Sequence, residues 1–273
     1  LSIVASTLGT KKVIATLPKA TENQAKFNLK IFFKELRLMF KMKSYRTIIL
    51  YTMVIYIGIG VGTVFTTYFM EFYFEFTETQ MALLPIASGL GGILALFFAS
   101  TLGKMFDKKR AVLYSTVAFS VLFSLPYNLR LLGIFPENGD ASLMITYFLC
   151  ILFAYMFLWI VLSLTGSMMA DVVDEFELKT EKREEGMFFS SMSFAYKCTV
   201  GLGYFIAGIL LEIIAFPKQV SVADVSEEAL EGLGFIGGPV LMSIYLLAIV
   251  FLVAYPINRK RYNEIRVGLE NNK

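Results

Sequence analysis

Six stretches of this chain are each long and apolar enough to cross a bilayer, and no other feature constrains its fold as tightly. They run approximately over Arg46–Met70, Thr79–Gly103, Ala111–Gly133, Leu143–Met169, Met187–Ala215 and Phe235–Ile257. A hydrocarbon layer of about 30 Å takes roughly 20 apolar residues as helix. Within it, every backbone N–H and C=O must be bonded inside the segment. The chain is therefore read as an all-α membrane protein with six transmembrane helices. A hydrophobic fraction of 56 % agrees with this reading, since soluble domains sit nearer about 45–50 %.

Charge sets the orientation. The stretch Lys11–Arg46 is strongly basic, with Glu22 and Glu35 its acids. Lys104, Lys108, Lys109 and Arg110 surround Asp107, and the tail after Ile257 carries Arg259, Lys260, Arg261, Arg266 and Lys273. The alternate loops are acidic: Glu71, Glu75 and Glu78 in one, and Glu212, Asp224, Glu227, Glu228 and Glu231 against Lys218 in the other. Basic loops stay in the cytoplasm, so both ends of the chain are expected there, as an even number of spans requires. Residues 46–257 then form the bundle and 258–273 a cytoplasmic tail. Residues 10–45 form a cytoplasmic loop, where Lys26–Lys43 mixes Phe27, Ile31, Leu38 and Met42 with Lys30, Lys34, Arg37 and Lys41 in the pattern of a helix lying on anionic lipid. Leu1–Gly9 is apolar but too short to span, and is read as the end of a helix that lies upstream.

Several chemistries are excluded. The chain has no histidine, and its two cysteines, Cys150 and Cys198, both fall inside predicted spans. His-based catalysis, proton relays and metal sites disappear together, and neither a disulfide scaffold nor a Cys-based zinc site is credible. Without a catalytic pair in the spans, the chain is not expected to be an enzyme.

One residue is an energetic anomaly. Lys197 lies about 15 Å into the fifth stretch, near the membrane midplane, where a lysine costs on the order of 2.5–3.5 kcal/mol on insertion scales. It needs a partner or a wet pathway. Ser190, Ser193, Gly201 and Tyr204 share its helical face. Glycines recur in the spans, at Gly58, Gly60 and Gly62, at Gly89, Gly91 and Gly92, and at Gly201, Gly203 and Gly208. Such residues let helices approach closely or bend. Tyr56, Tyr155 and Trp159 are candidate stacking surfaces, with ordinary packing the simpler explanation for each.

The inner loops hold two charged constellations. Asp171, Asp174 and Glu177 are spaced three apart, on one side of a helix, with Arg183 the nearest base. In Gly103–Arg110, Asp107 is placed to cap the next helix, while Lys108, Lys109 and Arg110 satisfy the inside rule and stand ready to pair with nearby acids.

The run Ala170-Asp171-x-Val173-Asp174-x-x-Glu177, then Arg183 and Gly186, then a helix carrying Lys197, resembles the glycoside–pentoside–hexuronide:cation symporters, the melibiose-permease-like branch of the major facilitator superfamily. Gly103–Arg110 looks like a degenerate copy of the superfamily's Gly-x-x-x-Asp-Arg-x-Gly-Arg-Arg loop, with Lys108 in place of an arginine and the second glycine missing. The resemblance covers essentially the whole chain as the C-terminal bundle of six transmembrane helices in a twelve-helix transporter. It implies a cation-coupled symporter of a sugar or glycoside working by alternating access, in a bacterial inner membrane. It implies that Lys197, with Ser190 and Ser193, takes part in solute and cation coupling. Asp171, Asp174, Glu177, Arg183, Asp107 and Arg110 would be charges of a cytoplasmic gate. No cofactor is implied beyond the coupling cation (Na⁺, H⁺ or Li⁺), which would be bound mostly by carboxylates of an N-terminal six-helix bundle. Without that bundle the chain alone is not expected to transport. The implied partners are the solute, the cation, membrane lipid and that bundle, and no nucleic acid. Alternatives are the same fold carrying a lipid-like or drug-like solute, or a six-span homodimeric half-transporter or channel.

Overall fold

A computed structural model of the chain describes residues 29–217 and 225–271. Residues 1–28, which include the expected upstream helix end, Phe27 and most of the basic loop, lie outside the described residues, as do 218–224 and 272–273. The chain divides between Leu38 and Met39 into two units. The first contains most of α1 (Leu29–Lys41), helical as its pattern predicts.

In the second unit the six spans are helices of membrane-crossing length and hydropathy. They are α2 (Lys43–Tyr68, continued by a π turn over Phe69–Tyr73), α3 (Glu78–Met105), α4 (Lys108–Leu131), α5 (Ala141–Thr180), α6 (Glu185–Ile213) and a last span made of α7 (Glu227–Phe235), a π turn (Ile236–Val240) and α8 (Leu241–Val253). The described residues contain no strand. The last span runs over Glu227–Val253 where Phe235–Ile257 was expected, and two further readings change. The fourth span does not stop at Met169; α5 continues to Thr180, 40 residues or about 60 Å, so its Thr180 end, named the inner end after the charge-based expectation, is long enough to stand clear of the hydrocarbon. The tail does not trail: Arg259–Asn271 is a helix, α9, packed on that inner end of α5. Val267 is exposed but Ile265 is fully buried, and a helix with one apolar edge finds a surface to cover.

The spans pack in the order α3–α5–α4–α8–α2–α6, an arc whose middle closes where α2 meets α5. The order is symmetric. Exchanging spans one to three for four to six turns the α2–α6 contact into α5–α3, and the α4–α5 contact into α8–α2. An inverted repeat of three spans produces this pairing. α3 and α6 end the arc, and only 22 % of the apolar stretch of each is buried, against 56, 50, 44 and 39 % for the first, third, fourth and sixth spans.

Glycine sets the two end contacts. At the α2–α6 crossing, a Cβ on Gly203 would lie 2.6 Å from the Ile57 carbonyl oxygen and 2.8 Å from Gly60 Cα; one on Gly60 would lie 2.6 Å from the Val200 oxygen. At the α3–α5 crossing, a Cβ on Gly91 would lie 2.6 Å from the Leu152 oxygen. Lipid tails are as apolar as leucine, so such close approach is what holds helices together in a membrane. The outer end is filled by aromatic rings: Phe69, Tyr73, Phe74 and Tyr147 surround Tyr127, whose hydroxyl shares a 3.0 Å hydrogen bond with that of Tyr147.

The crossing gives the first prediction. Gly203→Leu forces α2 and α6 apart and should cost about 1–3 kcal/mol, the usual range for overpacking. Gly201→Ala, whose Cβ meets nothing within 4 Å, should leave thermal stability in detergent unchanged. Equal melting temperatures for the two variants would count against the crossing as the determinant of this contact.

Candidate functional site: an uncovered polar helix face and a charged inner end

α6 has two unlike sides. Phe188, Ala195, Thr199, Gly203 and Ala207 are buried on one. Ser190, Ser193, Lys197, Gly201 and Tyr204 lie opposite at about 100° per residue, and every one of them is exposed. The Gly60–Gly203 contact fixes this rotation. Lys197 is about 18 Å into α6, near the middle of the span, and forms no hydrogen bond or ion pair among the described residues. Ser190 donates to the Gly186 carbonyl of its own helix; Ser193 makes no such bond. Gly201 and Gly208 face open space. The face is thus polar and small along its length, with one cation in mid-membrane.

The three candidate stacking aromatics differ. Tyr56 is packed edge-on against Tyr196, with centroids 4.6 Å apart, and so helps seal α2 to α6. Tyr155 is half-buried against the core beside the Gly91 crossing. Trp159 alone is open, 45 % exposed, in a groove of about 860 Å³ between α3 and α5. Ser88, Ser100, Ser163 and Ser167 line it too, and Gly92 sits against the indole nitrogen, where a Cβ would lie at 3.4 Å.

At the inner end, the structure divides the charges that the sequence spacing placed together. Asp171 does not pair with Arg183. It is buried and receives both its bonds from Lys108 Nζ, at 2.7 and 2.8 Å. Arg183 instead donates to Glu177 at 2.7 Å and Asp174 at 3.3 Å, and reaches Glu185 at 3.4 Å. The helix period explains the split. Each three-residue step falls about 60° short of a full turn, so six residues carry Glu177 about 120° away from Asp171. Glu181, left-handed at φ 58°, then turns the chain so that Arg183 meets Glu177. The Glu177 hydrogen bond, more than the fields of Glu177 and Asp174, holds the Arg183 pKa above its ordinary value.

The loop before α4 also departs from its reading. Asp107 occupies the position before the helix, but its side chain makes no capping bond. Lys108, Lys109 and Arg110 form the first turn, and none of them makes an ion pair with that carboxylate. Asp107 lines a cavity of about 240 Å³ with Lys108 and Asp171. Lys109 pairs with no acid among the described residues; its Nζ donates to the Val253 and Tyr255 carbonyls at 2.7 and 2.8 Å, closing the end of α8. Arg110 is exposed and pairs with none of the described residues.

Glu175 was absent from the sequence-derived set. It is buried, accepts a hydrogen bond from Ser44 Oγ at the start of α2, and is bonded by Lys179 Nζ at 2.7 Å. Its spacing of four from Lys179 was the available signal; nothing local announces Ser44, 131 residues away. Nearby, the Tyr255 hydroxyl donates to the Met168 carbonyl at 3.1 Å. Burial first, then the fields of Asp171 and Glu175, push that phenol well above its ordinary pKa, so it stays a donor at any physiological pH.

An all-helical six-span bundle with internal three-span symmetry, a polar face left open by the described residues and a charged rim is the architecture of a membrane-transporter bundle. The family model for MFS/sugar transport proteins matches residues 1–259, and the chain belongs to that family, one of transporters and not of enzymes. It is similar to an uncharacterized symporter of Synechocystis sp., 25 % identical over 256 residues that make up 93 % of this chain and 44 % of the relative. It is also similar to a putative sulfoquinovose importer of Escherichia coli K12, 30 % identical over 159 residues, 58 % of this chain and 31 % of the relative. The chain thus spans less than half the length of either relative.

Removing one member of a buried pair strands the other charge. Lys108→Met or Asp171→Asn should each cost about 2–3 kcal/mol, below the range for fully buried pairs because Lys108 is 29 % exposed. The double substitution should cost less than either single one. Arg183→Gln, at an exposed cluster, should cost under about 1 kcal/mol. Thermal unfolding of the four variants checks the order; a double variant as unstable as the sum of the singles would contradict the pairing.

Proposed function

We propose that the chain is one six-helix bundle of a cation-coupled sugar or glycoside symporter that works by alternating access, with a second six-helix bundle lying against α3 and α6. The observation that carries the reading is Lys197: a cation in mid-span with no partner among the described residues, on the side of α6 that none of them covers. Such a residue is costly in lipid and stable against carboxylates across an interface. Two bundles rock about a site at that level, and cation and solute binding change the charge that Lys197 sees. Ser193 and the uncommitted hydroxyls of the Trp159 groove supply hydrogen-bonding groups of the kind sugars need. The exposed Arg183 cluster, where Asp174, Glu177 and Glu185 share one guanidinium, has acidic charge to offer basic groups of the other bundle. It fits a latch that makes and breaks. The Lys108–Asp171 pair is satisfied within the bundle and fits a fixed anchor. Asp107 and Arg110 flank that anchor.

The test uses the full polypeptide in membrane vesicles, with labelled neutral glycosides and a sulfonated sugar, under imposed sodium, proton or lithium gradients. Uptake should follow one gradient. Lys197→Ala should lower coupled uptake by more than about 100-fold, the cost of a stranded partner charge, with abundance unchanged. Persistent coupled uptake would make Lys197 a bystander.

A further inference from the structure

We propose that α9 is a clasp on the inner end of the bundle, and that Tyr262 positions Lys108 for its pair with Asp171. An ammonium has three donors and no acceptor. Lys108 spends its bonds on the two Asp171 oxygens, and the Tyr262 ring lies 4.8 Å from its Nζ, within the range at which an aromatic face attracts a cation. The ammonium is held between a carboxylate and a ring from the tail.

The clasp is anchored apart from that ring. Ile265 is fully buried. Gly268 lies so close to α5 that a Cβ there would be 2.8 Å from Leu178 Cδ1. Arg259 Nη1 donates to the Lys104 carbonyl, the end of α3, at 3.4 Å. Just before α9, Tyr255 bonds α5 and its carbonyl receives Lys109 of α4. One short segment therefore ties the inner ends of α3, α4, α5 and α8, which come from both three-span repeats. The polar cavity beside the pair, lined by Asp107, Asn258 and Asn263, gives water a place from which to reach Lys108 once the ring moves. The clasp keeps the inner half of the bundle in one piece and sets how readily its α3–α5 groove opens to the cytoplasm. The contacts stand on their own; the consequence for uptake rests on the transport reading above.

The experiment reads opening without any solute. In the full polypeptide with Cys150→Ser and Cys198→Ala, Ser167→Cys places a single thiol in the groove between α3 and α5, and maleimide labelling is timed in inside-out vesicles. Tyr262→Leu should raise the labelling rate about two- to five-fold, the range of one cation–π contact. Tyr262→Phe, which keeps the ring, should match the parent. In a Lys108→Met/Asp171→Asn background the increase should vanish, because the ring then has no cation to hold. Arg259→Gln should raise labelling in both backgrounds, since it loosens the clasp at α3. An unchanged rate for Tyr262→Leu, or an equal increase in the neutral background, would overturn the proposal and leave Tyr262 a packing residue. Failure of the full polypeptide without these substitutions to take up any sugar would overturn the transport reading, and the labelling arm would still judge the clasp.

Discussion

The crossing of α2 and α6 at Gly60 and Gly203, where backbone meets backbone, determines more than a contact. In lipid there is no hydrophobic gain from bringing two helices together, so association depends on van der Waals fit. Backbone atoms that would lie under 3 Å from any added Cβ leave one rotation available to α6. That rotation buries Thr199 and Ala195 and sends Lys197 to the far side. The lysine's position is thus a consequence of two glycines that carry no chemistry. The α3–α5 crossing at Gly91 repeats the arrangement in the other half of the bundle, which leaves α3 and α6 as the two open ends of one arc.

The inner surface obeys a second constraint. A helix leaves four carbonyls unsatisfied at its C-terminus, and that end carries partial negative charge. α3 and α8 both end on the inner side. Lys109 closes α8 and Arg259 closes α3, each with a bond to a terminal carbonyl. Basic residues that the charge pattern is expected to hold in the cytoplasm thus also become the caps of the helices that end beside them. The positive-inside bias and helix capping are met by the same side chains, which is why several of these bases face carbonyls and not acids.

This division explains what could be read from the residues alone. Length and hydropathy found all six spans, because the bilayer imposes one scale on every helix. Lys197 was legible since a charge in a long apolar run needs no partner to be conspicuous. The pairing of the inner charges was not legible. Asp171, Asp174 and Glu177 look equivalent in the sequence, and only the 100° advance per residue, combined with the positions of α4 and the Glu181 turn, assigns Lys108 to one and Arg183 to the others. Ser44 and Glu175 meet across 131 residues, a distance at which no local pattern speaks. The tail helix was missed for a related reason: its apolar edge is narrow, centred on Ile265, and becomes informative only when the inner end of α5 is there to receive it.

The charges that this bundle satisfies internally and those it leaves open differ in where they lie. Asp171 and Glu175 are buried and fully committed to partners on α4, on α2 and within α5. They hold helices of one body together, and moving them apart would strand charges at a cost of several kcal/mol. Lys197 and Arg183 are exposed, and the Arg183 guanidinium is shared among several carboxylates at distances up to 3.4 Å, so exchanging its partners costs little. On the proposed reading, a machine built from two rigid bundles needs both kinds of bond: stiff ones inside each bundle, and weak, exchangeable ones at the surface where they would meet. The separation of the two kinds, deep and paired against superficial and shared, is what allows the uncovered face to change its contacts while the arc of helices behind it stays whole.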